Sequence, residues 1–168
     1  MKVLFIGDIV GNPGRKAVKS VVPEMKRSLS IDYCIANCEN SAGGSGITYA
    51  VAQELFDSGI DGITLGNHTW SKKDITNFLD TEIRIVRPAN YPQDLPGKGS
   101  TIINHEGKSP IGLLNLLGRV YMDGVECPFR TADREVQSLK NFTKVVLIDM
   151  HAEATSEKIA LAWYLDGR

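Results

Sequence analysis

The chain has 168 residues, a length that suits one domain, and we expect residues 1–168 to fold as a single unit. Nineteen Lys and Arg residues stand against twenty Asp and Glu residues, so a formal net charge of -1 provides no positive field for non-specific DNA binding. A hydrophobic share of 42% and a charged share of 23% are ordinary for a folded domain and exclude extended disorder.

The cysteines and the N-terminal residues indicate the compartment. The cysteine count is three, an odd number, and Cys34 and Cys38 would lie about 13 Å apart in a strand, beyond the reach of a disulfide. The apolar run at 3–6 is far shorter than a signal-peptide core or a membrane span. We therefore expect a reduced, cytoplasmic protein that does not interact with membranes.

Short apolar runs rich in branched residues alternate with helical patterns, which predicts an α/β fold with buried strands. Asn12 is expected to cap the first helix, directly before Pro13. The turn at 106–108 predicts a hairpin, which makes the sheet mixed, and the apolar strand 144–150 is expected to be central and paired on both sides. The predicted elements are, in chain order, strand 2–6, helix 12–29, strand 33–37, helix 48–58, strand 62–65, helix 71–79, strands 84–86, 100–104 and 111–117, helix 131–142, strand 144–150 and helix 155–165.

Four predicted strands are followed at once by oxygen or imidazole side chains. Ligands of open α/β sheets bind at the carboxyl ends of the strands, so residues distant in sequence converge there. Mixed oxygen and nitrogen donors suit Mn, Fe or Zn better than Ca, which makes a metal site the favoured interpretation. The strand-end residues are Asp8, Glu39, Asn40, Asn67, His68 and His151.

Each of these residues also has an ordinary structural explanation. Asp8 could equally cap a helix, and Asn40 or Asn67 alone is typical of a turn. A lone histidine is more often a hydrogen-bonded core residue than a ligand. Glu39 is harder to explain in this way, because a carboxylate just past a hydrophobic strand is costly without a partner. Their joint placement favours a functional site.

Other catalytic motifs are absent or weak in this sequence. The glycines at 7–14 match neither the phosphate-binding loop G-x-x-x-x-G-K-[ST] nor the dinucleotide motif G-x-G-x-x-G. Cys38 is the one cysteine placed near the strand ends, and it is a weak candidate nucleophile. No nucleotide fold of either kind is therefore predicted.

Five segments together resemble one known family across essentially the whole chain. They are LFIGDIVG at 4–11, NCEN at 37–40, LGNHTW at 65–70, RPANYP at 87–92 and HAEATSEK at 151–158. The chain is similar in these segments to the YmdB family of calcineurin-like metallophosphoesterases. The resemblance implies a metallophosphoesterase-like sandwich of mixed β-sheets flanked by helices, with residues 1–168 as the N-terminal part of the family fold.

The resemblance also implies a reaction and a set of roles. The activity is hydrolysis of phosphodiesters, with 2′,3′-cyclic nucleotides as substrates, by a hydroxide that two metal ions activate. The metals are Fe or Mn, with Zn or Mg as alternatives. Glu39 bridges the two metals, and His68 is the catalytic acid. The implied ligands are Asp8, Glu39, Asn40, Asn67 and His151.

Two features depart from the wider pattern. Metallophosphoesterases generally open with Asp-x-His, whereas Val10 stands at the third position here, and Asn40 is expected to help complete the coordination. By resemblance, the family continues into a strand and a Gly-x-His-x-His segment whose histidines bind metal. We therefore expect a C-terminally incomplete fold, weaker metal binding, reduced activity and a homo-oligomer formed through an open sheet edge.

Two alternatives belong to other functional classes. The chain could be a non-catalytic nucleotide-binding or regulatory module that keeps the pocket without turnover. It could also be a metal-free α/β interaction module in which every strand-end polar residue is a cap or a turn. Nucleotide binding without hydrolysis would identify the first, and metal analysis would identify the second.

Overall fold

The computed structural model describes residues 1–122 and 124–168. Its strands and helices follow the predicted order closely. The strands are β1 Val3–Ile6, β2 Tyr33–Asn37, β3 Gly62–Thr64, β4 Ile85–Val86, β5 Ser100–Ile103, β6 Ile111–Leu117 and β7 Val146–His151. The α-helices are α1 Gly11–Ser28, α2 Tyr49–Asp57, α3 Pro128–Leu139 and α4 Thr155–Leu165.

The strands form two sheets rather than one. The first sheet has the order β1-β2-β3-β4 and all of its pairs are parallel. The second has the order β5-β6-β7, with β5 antiparallel and β7 parallel to β6. The α/β sandwich and the hairpin are therefore confirmed, but only the second sheet is mixed, because the hairpin lies entirely within it.

Three apolar clusters arrange these elements as four layers. Helices α1 and α2 pack on one face of the first sheet, and α3 and α4 pack on the outer face of the second. A third cluster lies between the two sheets and joins β2 and β4 to β5 and β6. Gly62 allows the sheets to approach closely, because a Cβ there would lie 2.9 Å from Ile35 Cδ1 and 3.1 Å from Leu113 Cδ2.

Two helix predictions need correction. Helix α1 begins at Gly11 with Val10 at the N-cap position and no side-chain capping bond, so Asn12 lies inside the first turn. In place of the predicted helix 71–79, the structure has two short 3-10 helices, Thr69–Ser71 and Lys73–Asn77. Serine, aspartate, threonine and asparagine are frequent here, and their side chains compete for backbone hydrogen bonds, which favours turns over a regular α-helix.

The prediction that every strand is buried is wrong, and over residues 1–122 and 124–168 strand 144–150 has only one of the two partner strands that its apolar sequence predicts. Among the described residues, β7 pairs with β6 alone and its side chains are half-buried. Strand β1 pairs with β2 alone, and Val3 and Phe5 are exposed. An apolar run does not reveal how many partner strands it has, which explains the error. Within the described part of the chain, no helix is both long and apolar enough to cross a membrane.

Candidate metal centre

The parallel pairing brings the strand-end residues to one edge of the sandwich. Asp8 follows β1, Glu39 and Asn40 follow β2, and Asn67 follows β3 at the same end of the first sheet. His151 is the last residue of β7 in the second sheet. The edge predicted from the sequence therefore exists, and it receives residues from both sheets.

Glu39 occupies the centre of this group with only 2% of its surface exposed. Its Oε2 accepts a hydrogen bond from the backbone N–H of His68 at 2.8 Å. Its Oε1 lies 3.0 Å from Nε2 of His151. Its backbone N–H donates to Oδ1 of Asn37 at 3.2 Å. A buried carboxylate needs such partners, since burial without them is costly.

Asn40 connects Asp8 to His68. Its Nδ2 donates to Oδ2 of Asp8 at 2.6 Å, and its Oδ1 lies 2.6 Å from Nδ1 of His68. Because an ionised Asp8 can only accept, the amide nitrogen must face Asp8 and the amide oxygen must face the imidazole. Nδ1 of His68 is therefore the donor to Asn40, which leaves Nε2 as the remaining nitrogen of a ring that is 42% exposed.

Two oxygen atoms compete for one nitrogen of His151. Nε2 lies 3.0 Å from Oε1 of Glu39 and 3.1 Å from Oδ1 of Asn67. A single N–H at this position stands between two oxygens with lone pairs directed at it. The same oxygens and nitrogen could surround a cation in place of the proton, because each presents a lone pair when the imidazole is neutral.

The pKa values of the central pair shift in opposite directions. Burial lowers the pKa of His151, but the hydrogen bond and charge of Glu39, with the charges of Asp149 and Asp8, outweigh burial and hold it above 6.5. Burial raises the pKa of Glu39, but hydrogen bonds from His151 and from the His68 backbone outweigh burial and hold it below 4.5. The two groups therefore favour a charged pair.

All six predicted site residues meet in one hydrogen-bonded group, which we call the strand-end cluster. Asp8 is bonded to Asn40, Asn40 to His68, His68 to Glu39, Glu39 to His151, and His151 to Asn67. The capping and turn explanations for Asp8 and Asn40 do not account for these contacts, because their side chains bond to each other across the cluster. The roles of individual residues as ligand or acid remain predictions. The cluster comprises Asp8, Glu39, Asn40, Asn67, His68 and His151.

The donor set fits a divalent cation of intermediate hardness. It offers carboxylate and amide oxygens together with imidazole nitrogen, the mixture that suits Mn or Fe. Among residues 1–122 and 124–168, no group of three or more His, Cys, Asp and Glu side chains alone is arranged to hold a metal ion. The expected ligand set also includes the amides of Asn40 and Asn67.

A polar patch beneath the cluster was not predicted from the sequence. Oδ2 of Asp149 accepts from Nδ2 of Asn37 at 2.9 Å and from Oγ1 of Thr64 at 2.5 Å. Nδ2 of Asn37 also donates to the carbonyl of Leu65 at 3.1 Å and lies 3.5 Å from Nδ1 of His151. The sequence feature that could have indicated this patch is Asp149, a charged residue within the otherwise apolar strand β7.

Gly66 is a second residue that the sequence reasoning missed. A Cβ at this position would lie 2.3 Å from Oε2 of Glu39 and 2.6 Å from Cδ2 of His151. Real side chains do not approach so closely, so only glycine leaves room for both groups. The sequence feature that could have indicated this role is the position of Gly66, shortly after β3 and directly before Asn67.

The cysteines take no part in the cluster. Cys38 is fully buried, and desolvation raises the pKa of its thiol well above 9.0. Desolvation also raises the pKa of Cys34 to about 11. A thiol that stays protonated is a poor nucleophile, so Cys38 is not suited to nucleophilic catalysis.

The fold and the cluster define a class: two-sheet α/β sandwiches with oxygen and imidazole donors at the carboxyl ends of their strands. Within this class, the chain belongs to the family of YmdB-like proteins, whose family model matches residues 4–168. The resemblance noted in the sequence is thereby confirmed.

Individual relatives agree with this assignment. A 2′,3′-cyclic-nucleotide 2′-phosphodiesterase of Bacillus subtilis is 47% identical over 168 residues, which is all of this chain and 63% of the relative. A hypothetical protein from Thermus thermophilus has a crystal structure with a TM-score of 0.89 and 42% identity, covering 100% of this chain and 64% of that chain. A structure described as a novel phosphatase, from Mycoplasma pneumoniae, has a TM-score of 0.89 and 31% identity, covering 99% and 60%. The chain thus spans less than two thirds of the length of these relatives.

The contact made by Gly66 predicts a local defect. In Gly66→Ala, the new methyl group must displace Glu39 or His151, so we expect a loss of about 1–3 kcal/mol of stability and at least about tenfold weaker Mn²⁺ binding. Gly7→Ala is the matched control, because a Cβ at Gly7 meets nothing within 4 Å although it precedes Asp8. Thermal melting and calorimetric titration measure both effects. Equal behaviour of the two variants would contradict the crowded geometry.

The Glu39 and His151 pair predicts a pH-dependent stability of the metal-free protein. A raised pKa of His151 adds stability below 6.5 that disappears as pH rises through the folded value. A lowered pKa of Glu39 adds stability above 4.5 that disappears as pH falls through its folded value. We therefore expect a higher Tm at about pH 6 than at about pH 8.5, measured in chelator.

The control for this pH dependence is His151→Gln, which removes the imidazole but keeps a polar side chain. The difference in Tm between the two pH values should shrink in this variant. An undiminished difference would show that other groups cause it.

Proposed function

We propose that this chain carries the catalytic cluster of a metal-dependent phosphodiesterase that hydrolyses 2′,3′-cyclic nucleotides. The observation that supports this most strongly is the strand-end cluster, in which a buried carboxylate contacts the backbone of His68 after β3 and the imidazole of His151 at the end of β7. Membership of the YmdB-like family and the 2′,3′-cyclic-nucleotide activity for which the Bacillus subtilis relative is named support this substrate class.

We propose two divalent ions as cofactors, Fe or Mn first and Zn or Mg as alternatives. Such ions, when bound, neutralise charge on the phosphate and lower the pKa of water. Glu39 would bridge them, since its two oxygens face different neighbours, His68 and His151. The residues that would hold the ions are Asp8, Glu39, Asn40, Asn67 and His151.

His68 is proposed as the catalytic acid. Its Nδ1 is held by Asn40 at 2.6 Å, and its backbone N–H is held by Glu39, so the ring is fixed from two sides. The partial exposure of this ring lets Nε2 face the substrate side and give a proton to the leaving oxygen. Such an acid contributes about 10²–10⁴-fold to the rate.

The test combines metal titration with turnover of 2′,3′-cyclic AMP by the 168-residue chain. In Glu39→Gln we expect Mn²⁺ affinity to fall by at least about tenfold, because the bridging charge is lost. In His68→Ala we expect nearly unchanged Mn²⁺ affinity and a kcat lower by about 10²–10⁴.

His105→Ala is the matched control for His68. His105 stacks on Tyr33 and lies 3.1 Å from Asp61, and neither neighbour belongs to the cluster. Its removal should leave Mn²⁺ affinity and kcat unchanged. Unaltered Mn²⁺ binding in Glu39→Gln would contradict the bridging role, and nucleotide binding without any turnover would instead support the regulatory module.

We further propose a cytoplasmic location and a homo-oligomer. All three cysteines are free, which is typical of a reducing compartment. The support for association is the edge strand β1, whose residues Val3 and Phe5 are exposed. They lie on the same face of the sheet as their partners in β2, which pack in the cluster between the sheets. Unpaired, uncharged edges are templates for pairing with another chain.

The association is tested by light scattering. Phe5→Lys places a charge on the β1 edge, so we expect it to shift the chain toward monomer. Val21→Lys is the control, because Val21 is equally apolar and 48% exposed but lies on α1, away from that edge. A monodisperse wild-type monomer would contradict the proposed oligomer.

A further inference from the structure

A cavity of about 300 Å³ lies beside the strand-end cluster. Its lining is Asn67, Tyr121, Met122 and Glu153. Asn67 is itself a member of the cluster, and Glu153 lies two residues beyond His151. A molecule held at the cluster could therefore extend directly into this cavity, which we call the Tyr121 pocket.

The backbone that carries Tyr121 is anchored by Glu157 in the first turn of α4. The carboxylate of Glu157 is buried and accepts backbone hydrogen bonds from Arg119 at 3.0 Å and from Val120 at 3.3 Å. Gly118 donates to the carbonyl of His151 at 2.8 Å, which ties the start of this segment to the end of β7. One set of hydrogen bonds therefore positions the pocket relative to the cluster.

Gly118 adds a packing constraint to the same anchor. A Cβ there would lie 2.6 Å from Cβ of Ala152 and 2.6 Å from Oε2 of Glu157. The segment therefore sits tightly against the residues that follow His151. Glu157 lies in the segment 151–158 that resembles the family, and its buried carboxylate has a structural role, because it accepts backbone hydrogen bonds from Arg119 and Val120.

Tyr121 combines a highly exposed side chain with an uncommon backbone conformation. Its side chain is 91% exposed, and its backbone has φ of 61°, in the left-handed region that residues other than glycine rarely adopt. Such a conformation costs energy and is typically found at functional positions. An exposed aromatic ring beside a polar cavity is well suited to stack on a nucleobase.

We propose that the Tyr121 pocket binds the nucleoside part of the substrate, with the base stacked on Tyr121 and its N–H groups donating to Glu153. This proposal rests on the proposed function, since it assigns the substrate's phosphate to the neighbouring cluster. A base carrying N–H donors on its edge, such as guanine, is the preferred ligand because a carboxylate only accepts.

The first experiment titrates guanosine into the chain and follows binding by nuclear magnetic resonance. Guanosine carries no phosphate, so it reports on the pocket whether or not the cluster binds metal. We expect Tyr121→Ala to weaken binding about tenfold or more and Tyr121→Phe to retain it, because stacking needs only the ring. Trp163→Ala is the control, since Trp163 is a 76% exposed aromatic on α4 outside the pocket.

The second experiment titrates inorganic phosphate in the presence of Mn²⁺. Tyr121→Ala should leave phosphate affinity unchanged, whereas Glu39→Gln should reduce it. Loss of phosphate binding in Tyr121→Ala would overturn the proposal, because the residue would then shape the cluster itself. Absence of guanosine binding to the wild type, or equal binding by Tyr121→Ala, would also overturn it. Unchanged phosphate binding in Glu39→Gln would instead contradict the proposed function and leave the guanosine result standing in support of the pocket.

Discussion

The buried charge of Glu39 is the constraint on which the rest of the structure depends. A carboxylate that is 2% exposed is costly unless nearby groups satisfy it. Its partners come from distant parts of the chain, the His68 backbone after β3 and the His151 ring at the end of β7. The folded state must therefore set both sheets in register before this charge is stabilised. The same requirement explains why Gly66, which leaves space for both groups, tolerates no side chain.

The packing of the two sheets makes that arrangement possible. Gly62 lets β3 approach β6, and the apolar cluster between the sheets fixes their separation. Toward the carboxyl ends, the apolar contacts give way to Asp149, Thr64 and Asn37, which are hydrogen-bonded to one another. Of these three residues, Asn37 also contacts the strand-end cluster, because its Nδ2 lies 3.5 Å from Nδ1 of His151. The apolar packing that stabilises the fold and the polar residues of the proposed site therefore lie in the same interface between the two sheets.

Much of this arrangement could be predicted from the sequence. The strand-end positions of Asp8, Glu39 and His151 follow from strand patterns and from the rule that parallel strands end at one edge. The strand patterns alone did not predict the division into two sheets, because they carry no information about which strands pair, and only the family resemblance implied a sandwich. For the same reason, the strand patterns did not reveal the edge position of β1. Asp149 and Glu157 were missed as structural residues because their partners are backbone or side-chain groups far away in sequence.

The most direct test of the account is the position of a bound metal. Crystals of the chain grown with Mn²⁺ and measured at the manganese absorption edge would give an anomalous difference map. We expect peaks within ligand distance of Glu39, with Asn67 and His151 around them, and loss of those peaks in crystals of Glu39→Gln. A wild-type map with no peak at the strand-end cluster, or with peaks only elsewhere, would contradict the claim that these residues form a metal centre.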